Sequence, residues 1–472
     1  MQPIVKQIAG VEEALDLANR AARDVPAYRR LVLARGAADK PLRDLRDLPI
    51  TSKEYLRRSP LPELLWFGDI TATGSWSATS GSTGSPAFFP RDQVALDDAT
   101  VFYGRILEQN FGIGAESTLV IVCFAMGTWI GGTYTYQTFL ALRGKGARVS
   151  VTTTGIDVAA ALRNLTELGP YYEKVVLAGY PPLIKDLLDQ ASDDDLAQDI
   201  YLLLAGEAIG EGWRDHVLSR IGRPGQPDRV CVMYGTAEAG VMGHETPLTI
   251  AVRRAARPGS RLGAAIFGLE STRPPTLVAV DPMRRYVEVE DGYLLFTINS
   301  VLPLIRYRIN DRGAVFSADR LRDELIECGH SELAAQVDPA AAYVVLSGRT
   351  DVATTFYSSN IYPSHLAEAF DATLVTDSVT GRFVVDGMPD ESHDPVLRVS
   401  VELAAGTDAT SSLAQRLRVL CLDSLLAAND EFRALRTEHG ERTDPQITLF
   451  GYRTGPFAAP QIKHTYVSGG MK

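Results

Sequence analysis

Between Ser77 and Pro86 nearly every position is glycine or a small hydroxyl residue, in the string Ser77-Ala78-Thr79-Ser80-Gly81-Ser82-Thr83-Gly84-Ser85-Pro86. Glycine tolerates positive φ and carries no side chain, so such a segment can bring backbone N–H groups and hydroxyls against phosphate oxygens. A flexible Gly/Ser linker has the same composition, and the string alone does not choose between the two. No lysine follows Gly84, which separates the segment from a Walker loop. Three carboxylates stand further along, in Ala205-Gly206-Glu207, in Met233-Tyr234-Gly235-Thr236-Ala237-Glu238 and in Leu302-Pro303-Leu304-Ile305-Arg306-Tyr307-Arg308-Ile309-Asn310-Asp311. A carboxylate at a strand end, such as Glu238, is a suitable oxygen ligand for a hard divalent cation bridging phosphates. The two oxygens of a carboxylate such as Asp311 can accept from both hydroxyls of a vicinal diol. As ordinary structure, Glu238 would be a helix cap or dipole partner and Asp311 a turn residue before Arg312-Gly313.

These residues need a scaffold, and the sequence predicts one of α/β class. Apolar residues recur at helical spacing over 11–33 and 45–56, making the leading segment helical. Short β-rich runs then alternate with helical patterns: 119–124 with 134–142, 148–152 with 158–168, and 174–177 with 182–190. That alternation predicts parallel β-α units, and the strands at 200–204 and 229–233 run into glycine-containing turns where open α/β sheets hold ligands. Beyond about residue 252 the pattern changes to paired strands at 276–280, 286–289 and 293–299, read as an antiparallel barrel or sheet added to the α/β body. A third composition begins at 350, with a hairpin-like pair (372–376, 382–385), a strand (396–403) and an amphipathic helix (413–426). The expected division is a large N-terminal domain, 1–349, and a small C-terminal α/β domain, 350–472.

Composition excludes several function classes. The 472 residues are 45% hydrophobic and 22% charged, with a formal charge of −11 and no long basic block, which argues against nucleic acid as a partner. The most apolar stretch, 118–132, is too short to cross a bilayer and is broken by Gly127, Gly131 and Gly132; it reads as a buried strand and loop, with no membrane role. Cys123, Cys231, Cys328 and Cys421 are widely spaced and the seven histidines add no zinc spacing, so reduced thiols and a cytoplasmic location are expected. No Gly-x-Ser-x-Gly elbow and no His-Glu-x-x-His pair favours a hydrolase.

Taken in order, the motifs resemble those of the adenylate-forming superfamily, and within it the phenylacetate-CoA ligase group. The glycine-hydroxyl string is similar to the Thr-Ser-Gly-Thr-Thr-Gly-x-Pro loop, with Ala87 where many members carry lysine and where the phenylacetate-CoA ligase group often does not. Upstream, Leu48-Pro49-Ile50-Thr51-Ser52-Lys53-Glu54-Tyr55-Leu56 resembles the Leu-Pro-x-Thr-x-Lys-x-x-Leu segment of that group. The resemblance implies a large N-terminal domain and a small mobile C-terminal one, joined at Gly348-Arg349-Thr350-Asp351 with Asp351 as the hinge. It implies phosphate contacts from Thr79, Ser80, Gly81, Ser82, Thr83 and Gly84, and Gly206 and Glu207 lying along the adenine. Tyr234 would pack on adenine beside Gly235 and Thr236, Glu238 would hold Mg2+, Asp311 would take the ribose hydroxyls, and Arg349 would contact the nucleotide. Lys463, in Pro460-Gln461-Ile462-Lys463-His464, matches the mobile catalytic lysine, and Phe124, Met126, Trp129, Ile130 and Gly131 lie where relatives form the acyl pocket, Gly131 and Gly132 leaving room beside it.

The implied reaction is ATP- and Mg2+-dependent activation of an apolar, aromatic carboxylic acid as its acyl-AMP, followed by transfer to coenzyme A. An amine, a carrier thiol or nitrite as acceptor remains open, as does a catalytically inactive nucleotide-binding protein. A homodimer is equally left open.

Overall fold

Continuous apolar runs put apolar residues on both faces of the central strands, and the computed structural model covers them on both sides. It describes residues 9–35, 42–78, 88–128, 130–206, 208–257, 259–268, 275–349, 354–356, 359–371, 375–387, 396–429, 432–433, 436–437 and 440–458. The chain opens with α1 (Val11–Asp24) and α2 (Pro26–Leu33). The single helical run expected over 11–33 is broken at Val25, which is extended (φ −105°, ψ 109°) because a residue before proline is pushed out of the α region. Then follow β1 (Thr51–Ser52), α3 (Lys53–Arg58), the hairpin β2 (Ser75–Ala78) and β3 (Phe88–Arg91), and α4 (Gln93–Arg105). The β-α units are β4 (Thr118–Cys123), α5 (Ile130–Gly144), β5 (Val149–Thr153), α6 (Val158–Glu167), β6 (Lys174–Gly179), α7 (Pro181–Gln190) and β7 (Ile200–Ala205). The antiparallel half contains β8 (Val230–Thr236), β9 (Gly240–His244), β10 (Thr276–Val280), β11 (Arg285–Glu290), β12 (Tyr293–Ile298), β13 (Leu304–Ser317) and β14 (Ala342–Arg349).

Strands β5-β4-β6-β7-β8 are parallel, and the order continues β9-β10-β14-β13-β12-β11 through antiparallel pairs, with β1 added beside β13. The strands expected as an added barrel or sheet therefore continue the parallel sheet, the β8–β9 hairpin being the point where direction reverses. Period-two alternation divides β4: Leu119, Ile121 and Cys123 pack with α6, α7 and the helix Glu211–Arg220, whereas Val120, Val122 and Phe124 pack with α4 and α5. This is the buried strand expected within 118–132. No helix among the described residues is long and apolar enough to cross a membrane. All four cysteines are free, and burial pushes the Cys123 thiol up to about 12.

C-terminal to β14 come β15 (Thr354–Phe356), β16 (Ser359–Ile361), β17 (Val379–Asp386), β18 (Arg398–Leu403) and β19 (Gln446–Phe450). β17, β18 and β19 form a separate sheet, packed on the helix Ser411–Ala428 around Val385, Val399, Val401, Leu417 and Cys421. The hairpin expected between 372–376 and 382–385 does not form among the described residues: 375–378 is turn, and β17 pairs antiparallel with β18 instead. Register explains the choice, since Phe383, Val385, Val399 and Val401 then share one buried face. This body docks on α7, where the buried Lys185 Nζ donates to the Val379 carbonyl at 2.8 Å and to Asp189 at 2.8 Å. Asp186 accepts from the Tyr452 hydroxyl, and Gln190 Nε2 donates to that hydroxyl at 3.0 Å.

Candidate active site

The carboxyl edge of the parallel sheet brings three predicted segments, and one that was not predicted, into one row. Register pairs Cys123 with Gly179, Gly179 with Leu204, and Ala205 with Met233, so Phe124, Tyr180, Gly206 and Tyr234 follow one another across neighbouring strand ends. Gly206 has φ of 91°, and a Cβ there would meet Tyr180 Cδ1 at 2.8 Å, so both conformation and space require glycine. Gly235 is set by close approach: its Cβ would lie 2.8 Å from the Gly240 carbonyl oxygen across the β8–β9 pair.

Tyr234 lies tilted to Phe296 with ring centroids 5.9 Å apart, and its hydroxyl donates to Asp311 Oδ2. Asp311, 6% exposed, pairs in register with Arg349 of β14, so three residues assigned to one nucleotide converge. The Arg306-to-Asp311 string is bent to do this. Arg306 (φ 44°) and Asn310 (φ 75°) are left-handed, each at a cost on the order of 1 kcal/mol or more. Arg306 stabilises its bend by donating to Glu288 at 2.5 Å, to Glu290, and to the Leu48 carbonyl at 2.8 Å.

That last bond draws the leading segment into the site. β1 runs parallel to β13, with Thr51 opposite Tyr307, and Thr51 Oγ1 donates to the Ile305 carbonyl at 2.7 Å. Lys53 Nζ thereby comes 3.4 Å from Glu238 Oε1. The Glu238 side chain is 4% exposed, and Oε1 has no hydrogen-bond partner. A buried carboxylate oxygen that makes no hydrogen bond and already faces a cation, the Lys53 ammonium, is chemically suited to hold a hard cation, so the residue fits Mg2+. Among the described residues no group of three or more His, Cys, Asp or Glu could hold a metal. Thr236 Oγ1 accepts from Ala239 N at 3.1 Å and so closes the turn that carries Glu238.

On the acyl side, Phe124 is buried and meets Tyr180 edge to face at 5.0 Å, while Met126 and Ile130 are half-buried. The room expected beside Gly131 and Gly132 is taken: a Cβ at Gly131 would meet Phe124 Cβ at 3.2 Å and the Tyr180 hydroxyl at 3.3 Å. At Gly132 it would meet the Ala125 carbonyl at 2.3 Å. These glycines let α5 approach the strand end rather than widening a pocket. Lys53 was legible as part of its motif but not as a neighbour of Glu238, and Arg306 as part of the string ending at Asp311 but not as the anchor of its bend; Tyr180 carried no local signal. Thr79, Ser80, Gly81, Ser82, Thr83, Gly84, Trp129, Glu207, Asp351 and Lys463 lie outside the described residues, although β2 and β3, which flank 79–87, are paired from Ala78–Phe88 to Ser75–Arg91.

No family model matches the chain, and no curated protein matches it in sequence. Solved structures do. A 2-hydroxyisobutyryl-CoA ligase in the postadenylation state, in complex with R3-HIB-AMP, matches with a TM-score of 0.65 and 17% identity, over 97% of this chain and 88% of that one. The same ligase in the thioesterfication state, in complex with 2-HIB-AMP and CoA, gives a TM-score of 0.52 at 16% identity, over 97% and 89%. The acyl acid amido synthetase AtGH3.15, in complex with 2,4-DB, gives 0.59 at 13% identity, over 98% and 92%. The anthranilate CoA ligase AuaEII, in complex with anthranoyl-AMP, gives 0.50 at 13% identity, over 87% and 72%. The chain has the adenylate-forming fold. Within that adenylate-forming fold, the row from Phe124 to Tyr234 and the Asp311 and Glu238 carboxylates form the candidate site.

Proposed function

We propose that the protein is an adenylate-forming ligase: an apolar, aromatic carboxylate attacks the α-phosphorus of ATP, pyrophosphate leaves, and the acyl-AMP passes its acyl group to coenzyme A. The observation that carries this reading is the meeting of the Tyr234–Asp311 bond and the Lys53–Glu238 pair beside the Phe124–Tyr180 rings at one sheet edge. The reaction asks for positioning and charge neutralisation more than covalent chemistry. Asp311 would take the ribose hydroxyls, Tyr234 the adenine, and the 79–84 segment the phosphates. Mg2+ held by Glu238 would supply charge neutralisation at the phosphate oxygens. The Lys53 ammonium adds a second cation within reach of the same carboxylate. Phe124, Met126, Trp129, Ile130 and Gly131 would face the acyl group, and the buried Phe124–Tyr180 corner favours a flat apolar body.

The test is pyrophosphate release from Mg·ATP across a panel of acids. A response to aromatic acids is expected; a silent panel, or one answered by small polar acids alone, overturns the reading. The C-terminal part is proposed to move about Asp351 and to present Lys463 only for the first step. The greater likeness to the postadenylation than to the thioesterfication form of one ligase supports reading the docking on α7 as the arrangement of the first half-reaction. Lys463→Ala should then abolish adenylation from acid and ATP while the variant still consumes supplied acyl-adenylate. Equal loss of both half-reactions in a folded variant would remove Lys463 from that role.

A further inference from the structure

Arg91 ends β3, the strand that leaves the glycine-hydroxyl segment, and its backbone is fixed there: it pairs with Ser75, and its carbonyl accepts from Gly74 N at 2.7 Å. Its side chain turns inward and is 4% exposed. Nη1 donates to the Glu238 carbonyl at 3.1 Å and to the Pro90 carbonyl at 3.3 Å, and Nη2 donates to the Ala237 carbonyl. The ring of Tyr134 lies 5.9 Å from the guanidinium carbon, and Nε has no hydrogen-bond partner. Every acceptor so named is a neutral carbonyl. Burying a guanidinium against carbonyls alone is unfavourable unless anionic charge lies nearby, and burial lowers the Arg91 pKa accordingly. Two anions lie nearby, Asp92 and Glu238, and it is Glu238 whose backbone Arg91 holds and whose carboxylate faces Lys53.

We infer that Arg91 is a positioning residue that sets the Glu238 carboxylate, one rigid fork tying the paired strands β2 and β3 to the turn after β8. The inference rests on the proposed role of Glu238 as cation ligand. A fork that bonds two successive carbonyls fixes both the height and the rotation of that turn, which a single donor would not do. Its loss should leave the nucleotide pocket of Tyr234 and Asp311 in place and displace only the metal-facing oxygen. Metal affinity, not nucleotide affinity, is therefore the quantity that reports it.

The experiment measures Mn2+ binding by loss of the free-ion electron paramagnetic resonance signal, with the whole protein and a non-hydrolysable ATP analogue. Arg91→Met should weaken Mn2+ by about tenfold, the usual scale for a partner that orients a metal ligand. Calorimetry with the same analogue and no metal should show nucleotide affinity unchanged. Arg91→Lys, which keeps the charge but reaches one carbonyl, should fall between Met and wild type, and it carries the test if the Met variant does not fold. Mn2+ affinity unchanged in the lysine and methionine variants, or nucleotide and metal affinity lost together, overturns the inference. Glu238→Gln separates the two ideas. If it binds Mn2+ as wild type does, the metal role of Glu238 fails; if it loses Mn2+ while the Arg91 variants do not, only the positioning role of Arg91 fails.

Discussion

Glu245→Ala should lower stability by about 3–5 kcal/mol, the scale on which removing one member of a buried ion pair leaves the others uncompensated. Glu245 is fully buried and accepts from Arg214 Nη2 at 2.9 and 2.8 Å, from Arg253 Nη1 at 2.8 Å and from Val232 N at 3.1 Å. The Arg214 and Arg253 side chains are 0% and 1% exposed, so both guanidiniums would be left without their shared anion. Both still have Glu211, 3.1 Å from Arg214 Nε and 3.1 Å from Arg253 Nη1, which softens the loss without removing it. The network also reaches the site: Arg253 Nη2 holds the Ile209 carbonyl at 2.8 Å, just past Gly206, and Val232 belongs to the strand that carries Tyr234. Urea unfolding followed by circular dichroism should therefore show a lower midpoint, with nucleotide affinity falling in parallel. A midpoint equal to wild type would mean that the network contributes packing alone.

Asp311→Ala should weaken ATP by roughly 1.5–3 kcal/mol, the range for a hydrogen bond to a charged group, or about ten- to a hundredfold. The carboxylate is buried and already oriented by the Tyr234 hydroxyl, so little ordering remains to be done when a diol arrives. Tyr234→Phe removes that orienting donor but keeps the ring, and its loss should be the smaller of the two. Calorimetry distinguishes them: equal losses would make Tyr234 as important as the carboxylate, and an unchanged affinity in Asp311→Ala would take Asp311 out of the nucleotide site. Thermal unfolding of Asp311→Ala should move little, because its neighbours on β13 and β14 keep their ladder.

Much of the scaffold was readable from residue order. The parallel units stand out because Leu119 to Cys123 and Ile200 to Ala205 are continuous apolar runs closed by helical patterns, as strands covered on both faces must be. β13 was not readable as a strand, since Arg306 and Asn310 interrupt its alternation with left-handed bends that no local rule assigns to those residue types. Asp311 and Glu238 were legible as candidates because the proposed chemistry needs each of them in one short string. The Lys53–Glu238 approach was not, because it depends on β1 finding β13, a pairing between distant parts of the chain. Gly131 and Gly132 misled for a related reason: a glycine states that a side chain is unwelcome, without saying whether a ligand or another helix fills the space.

The contact between α7 and Tyr452 has a consequence in proton linkage. Burial raises the Asp186 carboxyl to about 6, against the Tyr452 and Gln190 hydrogen bonds and the Arg453 charge, which lower it, while Glu402 raises it further. A carboxyl whose folded value is raised gives its stabilisation fully below its ordinary range, and that contribution is lost as pH rises through about 6. Near neutrality Asp186 is therefore charged at a buried interface, where the hydrogen bonds from Tyr452 and Gln190 offset part of its lost hydration. The Asp186 contribution to the stability of the folded chain should accordingly be larger in mild acid than near neutrality, and a urea midpoint for Asp186→Asn that follows pH as the wild type does would remove it from that role.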